Sequence, residues 1–309
     1  MSMAGTVFIL NPAAGHGRAA KVWAGLRAEV LRAVPGALCL VTDKPGHAAE
    51  LAVKAAAGGA GKLVAVGGDG TFSEVLEGVM SLPAARRAAL SLSAVPAGSG
   101  CDLARHLGYP DAGPALVRLI ASGRTRPLDV GRIDYTGLDG TPRQRHFINI
   151  AAFGLAGDVA HHIKGMGKAL GGTVSYAVSS ARAILGARAK PVWLKADGRD
   201  LSGSYHLGVL ANTSSMGGGM LIAPGAKDDD GLMDLVLVPD MSRLELVKNF
   251  PRLYKGTHIN SSGITVTAVR RLEAGSDETV YLNIDGEADG MFPAVFETLP
   301  RAVKIIAVR

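Results

Sequence analysis

The chain is poor in cysteine, in aromatic residues and in long apolar runs. Only Cys39 and Cys101 occur in 309 residues. One lies in the apolar run ALCLVT and the other in a Gly-rich loop. That excludes a disulfide scaffold and points to a reduced, intracellular protein. No stretch reaches the ~18 uninterrupted apolar residues that a spanning helix needs. The opening segment MSMAGTVFILNPAAG has no basic residues ahead of its apolar run, so it reads as a first strand rather than a signal peptide. A Walker A sequence is also missing. GGAGK at 58–62 lacks the following Ser or Thr and precedes a strand. The histidines, the pair His161–His162 included, have no spacing with Cys or other His that suits zinc. There is no repeat of solenoid length.

What is present is a globular composition, with 48% hydrophobic and 19% charged residues. The 41 glycines follow no period, which excludes collagen and Gly-rich linkers. A formal net charge of +6 suits acidic partners such as nucleotides or anionic lipid surfaces. The length leads us to expect two domains.

The first third alternates short apolar runs with helical patterns. TVFIL (6–10), ALCLVT (37–42), KLVAV (62–66) and SLSAV (91–95) read as strands. Helices are expected over 18–34, 46–57 and about 72–80. This is the pattern of a doubly wound α/β domain whose parallel sheet is covered on both faces. Its Gly-rich loops all follow strands, so they should meet at one edge of the sheet.

After about Leu128 the texture becomes short alternating runs broken by Gly, Asp and Asn: LDVGRID, RHFINIAAF, PVWLKAD, YHLGVLAN, LMDLVLVPD, GITVTAVRRLEAG, TVYLNIDGE and AVKIIAVR. That implies a mostly antiparallel β domain with a helical insert near 157–185 and a second helix near 243–253. SGRTRP reads as the linker. The expected domains are 1–127 and 128–309, with the last strand packing back on the first domain.

NPAAGHGRAA (11–20) has two readings. Gly15-x-Gly17-x-x-Ala20 resembles a dinucleotide fingerprint, with Asp43 placed to hold a ribose, but NPAA separates it from the strand end. Alternatively Asn11 braces a wider phosphate loop in which Gly15 and Gly17 expose backbone N–H groups before a helix N-terminus. A plain strand-to-helix turn is the structural alternative.

VGGDGTFSEV is more informative. Three glycines surround Asp69 between a strand and a helix. A carboxylate facing phosphate makes sense mainly with Mg²⁺ between them. On structural grounds alone, Thr71 would cap the helix and Glu74 would complete a capping box.

NPAAGHGRA, VGGDGTFSEVLEGV and VPAGSGCDLARHLG, in this order, resemble the diacylglycerol kinase catalytic domain shared by bacterial lipid kinases and by sphingosine and ceramide kinases. The likeness continues through LDVGRID, FINIAAFGLAGDVA, NTSSMGGGMLIAPGAKDDDGLMDLVLV and NIDGE, over nearly the whole chain. The resemblance implies an NAD-kinase-like first domain and transfer of the ATP γ-phosphate to a lipid hydroxyl. It places Asn11, Gly15, Arg18, Thr42, Gly67, Gly68, Gly70, Thr71, Glu74, Gly98, Ser99, Gly100 and Asp102 at the nucleotide. Asp69 would meet the catalytic Mg²⁺. Asp285 would be the general base, with Glu287 beside it on the nucleotide or metal. Within Asp228–Asp230, a structural Mg²⁺ is assigned to Asp229, Asp230 and Leu232, with Asp230 preferred among the carboxylates.

One departure stands out. The family motif Gly-Thr-Gly-Asn-Asp is here Gly98-Ser99-Gly100-Cys101-Asp102, which replaces a donating and accepting amide by a thiol. Asp285 also has a structural reading, as the Asp of an Asp-Gly hairpin turn. The rivals are a soluble-substrate kinase of NAD-kinase type, an NAD(P)-dependent oxidoreductase, and a nucleotide-binding regulator without kinase activity.

The partners expected are a lipid substrate, the surface of a membrane and a second copy in a homodimer, with no nucleic acid. Residues 159–196 carry no acid but include Lys164, Lys168, Arg182, Arg188, Lys190 and Lys195. That stretch is either a solvated basic face or a surface resting on anionic lipid. The location expected is cytoplasmic, peripheral on the inner face of the membrane.

Overall fold

The run TVFIL forms β1 (Thr6–Leu10), and all five of its residues are buried. A run this uniformly apolar needs cover on both faces, and the helices that follow provide it. The structure is a computed structural model and describes residues 5–165, 186 and 188–308. It divides into two units. One takes in the chain up to Leu128 and resumes at Arg301; the other is Asp129–Pro300.

The first unit continues with α1 (Arg18–Ala33), β2 (Leu38–Val41), α2 (His47–Ala57), β3 (Lys62–Gly67) and α3 (Asp69–Met80). Then come α4 (Ala84–Ala88), β4 (Ser91–Pro96), α5 (Asp102–His106) and α6 (Pro114–Ser122). The strands pair in parallel in the order β4-β3-β1-β2. On one face Leu26 and Val30 of α1 meet Leu116, Val117 and Ile120 of α6 over Phe8, Val64 and Val66. The other pair of helices, α2 and α3, pack on each other. The sheet is therefore doubly wound, as the alternating sequence pattern implies.

The order reverses between β1 and β3, and that switch point is where such sheets leave a crevice at their carboxyl ends. The last helix boundary differs from expectation. α3 begins at Asp69 rather than near Phe72, because Gly68 adopts an extended conformation (φ −99°, ψ −172°) and acts as the N-cap.

The second unit is antiparallel. Its elements are β5 (Thr125–Gly137, beginning just ahead of the unit), β6 (Pro142–Phe147), β7 (Ile150–Gly154), α7 (Leu155–Gly165), β8 (Lys190–Ala196) and β9 (Arg199–Asp200). They are followed by β10 (Gly203–Ala211), β11 (Met233–Pro239), α8 (Arg243–Leu253), β12 (Thr265–Val269), β13 (Arg271–Gly275), β14 (Tyr281–Ile284) and β15 (Glu287–Ile306). The end of β15 belongs to the first unit and pairs in parallel with β4, Ile305 beside Leu92.

β7, β10 and β11 are buried on both faces. Ala151, Phe153, Leu210, Leu235 and Leu237 enter one core, and Ile150, Ala152, Val209, Val236 and Val238 enter another. Leu246, Phe250 and Leu253 of α8 cover the second core. No helix among the described residues is long and apolar enough to cross a membrane.

Two sequence expectations need correction. SGRTRP is not a linker: Gly123 ends α6 in the left-handed region (φ 66°), and β5 starts two residues later. The run TVTAVRRLEAG is two strands, not one. It changes partners at Arg270, from β11 to β8 and β15, and the Asp197 carboxylate fixes the corner by accepting the N–H groups of Arg270 and Arg271 at 2.9–3.2 Å. The basic stretch falls largely outside the described residues, and Lys168, Arg182 and the Lys164 side chain are not among them. Of the remainder, Arg188 pairs with Glu278, and Lys190 with Asp158 at 2.8 Å.

Candidate active site

In the first unit, the loops after β1, β3 and β4 are three neighbours at one sheet edge. Asn11 bridges the switch point. Its Nδ2 donates to Thr71 Oγ1 at 3.2 Å, while its Oδ1 accepts the Ala13 N–H at 3.1 Å. Gly68 and Gly98 touch backbone to backbone, and a Cβ on Gly98 would overlap the Gly68 Cα. Gly15 (φ +59°) lies against the Ala97 carbonyl, and Arg18 Nη1 reaches Gly98 O at 3.4 Å. Gly67 leaves room for Thr71, and Thr42 is buried beside the end of β1, with its N–H on Leu10 O at 2.9 Å.

Gly70 differs from these. Its φ is not positive and a Cβ there would meet nothing within 4 Å. Gly70 is the second residue of α3, and with no side chain it leaves that side of the helix's first turn open. Neither α1 nor α3 has a side-chain cap at its N-terminus, but the Arg18 and Ala19 N–H groups of α1 already donate to the Gly15 and Ala14 carbonyls at 3.2 Å, so the helix end that suits an anion is that of α3. The loops therefore fit a nucleotide's phosphates.

Asp69 is not simply turned outward. Its two oxygens accept the N–H groups of Asp102 and Leu103, each at 3.1 Å, so it caps α5 across the loop junction. Burial raises its pKa, the Leu103 and Asp102 N–H groups oppose that, and the Asp102 charge adds to it. Each oxygen keeps lone-pair capacity, which suits a Mg²⁺ shared with phosphate and water.

The capping-box expectation fails. Gly68, not Thr71, is the N-cap of α3, and the Glu74 carboxylate instead accepts the Ala48 N–H at 3.1 Å in the first turn of α2. Ser99 is exposed, and the Gly100 carbonyl accepts from Arg105 at 3.0 Å. Cys101 takes the left-handed conformation (φ 54°) at the start of α5, and Asp102, beside it, is buried and paired with Arg105 at 2.5 Å. Burial and the Asp69 charge push the Cys101 thiol upward, so it stays protonated near neutrality.

In the second unit the outstanding group is Asp285. It and Gly286 (φ 47° and 91°) form the two-residue turn between β14 and β15, with Ile284 paired to Glu287. Both residues have positive φ, as a type I′ hairpin requires, so the structural reading of Asp-Gly holds. The Asn283 side chain secures the turn by accepting the Gly286 N–H at 2.8 Å. The Asp285 side chain, however, turns inward. Oδ1 accepts the N–H groups of Asn149 and Ile150 at 2.9 and 3.1 Å, and Oδ2 accepts that of Ile148 at 2.9 Å. Burial raises its pKa to about 6 against the pull of these three N–H groups and of Arg145. A turn needs no such carboxylate. A proton acceptor working near neutrality does.

Sequence reasoning missed what holds this arrangement. Asn212 is fully buried, and its Nδ2 donates to Ile148 O at 2.8 Å and Asp129 O at 3.0 Å. The Asn212 and Thr213 N–H groups both reach Asn149 O. The 148–150 backbone that cradles Asp285 is thus itself clamped. The signals in the sequence are that NTSS follows a strand and that it opens one of the stretches carrying the family resemblance. Glu287, next along the turn, is exposed.

The acidic run behaves differently. Asp228 is buried, while Asp229 and Asp230 are exposed, and Asp230 Oδ1 accepts the Leu232 N–H at 3.0 Å in a local turn. Among the described residues no three His, Cys, Asp or Glu side chains gather as a metal would need. A site of Asp229, Asp230 and Leu232 has two such side chains rather than three, so that count does not bear on it, and a structural Mg²⁺ there stays a proposal.

Comparison with known proteins agrees with the two-unit division of chemistry. The family model described as diacylglycerol kinase catalytic domain matches residues 5–133. The one described as YegS C-terminal NAD kinase beta sandwich-like domain matches residues 149–307. A diacylglycerol kinase of Mycobacterium tuberculosis is 28% identical over 308 residues, 97% of this chain and 94% of that protein. One of Bacillus subtilis is 29% identical over 267 residues, 86% of this chain and 84% of that protein. A crystal structure of a diacylglycerol kinase from Bacillus anthracis is similar with a TM-score of 0.78 at 24% identity, covering 99% and 98% of the two chains. Yeast NADH kinase shares the fold at a TM-score of 0.51 and 13% identity, over 99% of this chain and 84% of that one.

Proposed function

Because the chain belongs to the diacylglycerol kinase family, and so is a phosphotransferase with an alcohol acceptor, we propose that it is an ATP- and Mg²⁺-dependent kinase of a lipid hydroxyl, diacylglycerol-like or sphingoid- and ceramide-like. The observation that carries this reading is Asp285, a buried carboxylate poised near pH 6 in a clamp of three backbone N–H groups.

MgATP, when bound, supplies the phosphoryl group and the cation that offsets its charge. The chain's own residues prepare for it. Gly15, Gly67, Gly68 and Gly70, with the 98–100 loop, put little bulk toward the phosphates, and Asn11 and Thr71 tie the loops after β1 and β3 together through their side chains. Arg18, Thr42, Glu74 and Asp102 brace those loops, and Asp69 offers its remaining lone pairs to Mg²⁺. In Asp285, Oδ1 already accepts two N–H groups and Oδ2 one. Oδ2 is therefore the atom that takes the proton from the lipid hydroxyl. The N–H clamp fixes that carboxylate while the proton arrives. Glu287, exposed on the same turn, is assigned to the nucleotide side.

The test is ATP turnover against a panel of diacylglycerol, sphingosine, ceramide and phosphatidylglycerol, with NAD as the soluble competitor and products identified by mass. Phosphorylated lipid supports the reading. Phosphorylated NAD with no lipid product rejects it.

A further inference from the structure

The helix α8 is apolar on two sides. Leu246, Phe250 and Leu253 face the core of the second unit. On an adjoining side, about 110° around the helix, Leu244 (63% exposed), Val247 (47%) and Tyr254 (43%) stand in solvent, and the Pro251 between them is exposed as well. Their spacing of three, four and three residues puts all four on one stripe of the helix. Tyr254 is held there by an edge-on contact with the Phe250 ring, 6.1 Å between centroids.

The stripe is edged by exposed Arg243, Lys248, Arg252 and Lys255. The one acid among them, Glu245, is engaged with the Ser242 N-cap at 2.6–2.9 Å. Val266 on β12, opposite Val236 in register, lies on the same sheet face as α8 and is 41% exposed.

An apolar stripe bordered by cations has the chemistry of an interfacial helix, whose hydrophobic side chains enter the acyl boundary while Lys and Arg meet anionic headgroups. We propose that the outer face of α8 docks this protein on a bilayer containing anionic lipid. The assignment rests on the lipid-acceptor reading above, since it places the enzyme where such a substrate resides. It is independent of the basic stretch at 159–196. The partner is a membrane surface rather than a protein because the cations bordering the apolar residues outnumber the one acid of the helix, Glu245, which is tied to the Ser242 cap.

The experiment is co-sedimentation with phosphatidylcholine vesicles, with and without phosphatidylglycerol, in the absence of ATP. Wild type should bind the anionic vesicles more tightly. L244S/V247S and, separately, K248E/K255E should each weaken that binding about tenfold or more. Both pairs are exposed, and circular dichroism confirms the fold. Turnover of a short-chain, water-soluble diacylglycerol should be unchanged in both.

Vesicle binding equal to wild type in both variants overturns the proposal. So does a solution dimer that L244S/V247S dissociates while vesicle binding persists, because α8 would then be a contact between copies. Loss of vesicle binding in the variants, in a protein that phosphorylates no lipid at all, supports the docking face and rejects the kinase reading instead.

Discussion

Asp285 shows how one residue can satisfy two demands. The Asp-Gly pair is the turn that β14 and β15 need, and the sequence read correctly as a hairpin. What the sequence could not show is the side chain's destination. Ile148, Asn149 and Ile150 lie about 135 residues earlier, and no local pattern announces that their N–H groups will converge on one carboxylate. The consequence is measurable. With a pKa raised to about 6 by burial, Asp285 is ionised at neutral pH and becomes protonated, hence unable to accept a proton, as pH falls. Log kcat/KM for the lipid should be flat above about pH 7 and drop with unit slope below about pH 6. A flat profile down to pH 5 would exclude Asp285 as the base.

Asp69 makes the converse point. Its chemistry was legible, since a carboxylate amid phosphate-loop glycines calls for a cation, but its cap on Asp102 and Leu103 was not. D69A should lose about 1 kcal/mol of stability, as cap removals do, together with turnover by orders of magnitude. D69N keeps an oxygen for one N–H and should recover much of the stability without the turnover. Measuring melting and rate on both separates the two roles, and recovery of activity in D69N would contradict the metal assignment.

At the scale of elements, periodicity carried most of the reading. Apolar runs between amphipathic helices became β1 to β4, buried in all but the edge strand β2, and the short alternating runs became the antiparallel unit. Failures occurred where backbone geometry or distant partners decide. α3 starts early because Gly68 can take an extended cap. Thr71 looked like a cap but serves as acceptor for Asn11, and Glu74 caps α2 rather than its own helix. The chain change at Arg270 depends on Asp197, 73 residues away in sequence.

The glycine loops are where local sequence and tertiary contact agree best. Gly98 is required because its α-carbon meets Gly68 with no room for a methyl group between them. G98A should push the loops after β3 and β4 apart, destabilise the protein by about 1–3 kcal/mol as overpacking does, and weaken nucleotide binding. G70A, at an open position, should leave stability near wild type. Equal melting temperatures for G98A and wild type would contradict the close approach.

For the whole molecule, the composition identified little. Cys39 and Cys101 are free, and no helix among the described residues is long and apolar enough to cross a membrane. The lipid itself was never legible, because an acyl-chain site is built of the same apolar residues as any core. The resemblance of the ordered motifs supplied what composition could not, and the matches at 5–133 and 149–307 bear it out. The exposed stripe on α8 was likewise hidden. Its heptad-like apolar residues read as one helix pattern, and only burial divides them into an inner and an outer face.

Nucleotide binding is the whole-molecule property most open to calorimetry. MgATP at a hundredfold excess over its Kd should stabilise the protein by about 2.7 kcal/mol. The gain should vanish in G98A and persist in D285N. A wild type whose melting ignores MgATP would remove the nucleotide from the account.

The most direct test is phosphate transfer from ATP to diacylglycerol by wild type and by D285N, at neutral pH with Mg²⁺ and with folding verified in both. Wild type should form the phosphorylated lipid, and D285N should do so about 10²- to 10⁴-fold more slowly while still binding nucleotide. A D285N rate within a few fold of wild type would contradict the account at its centre.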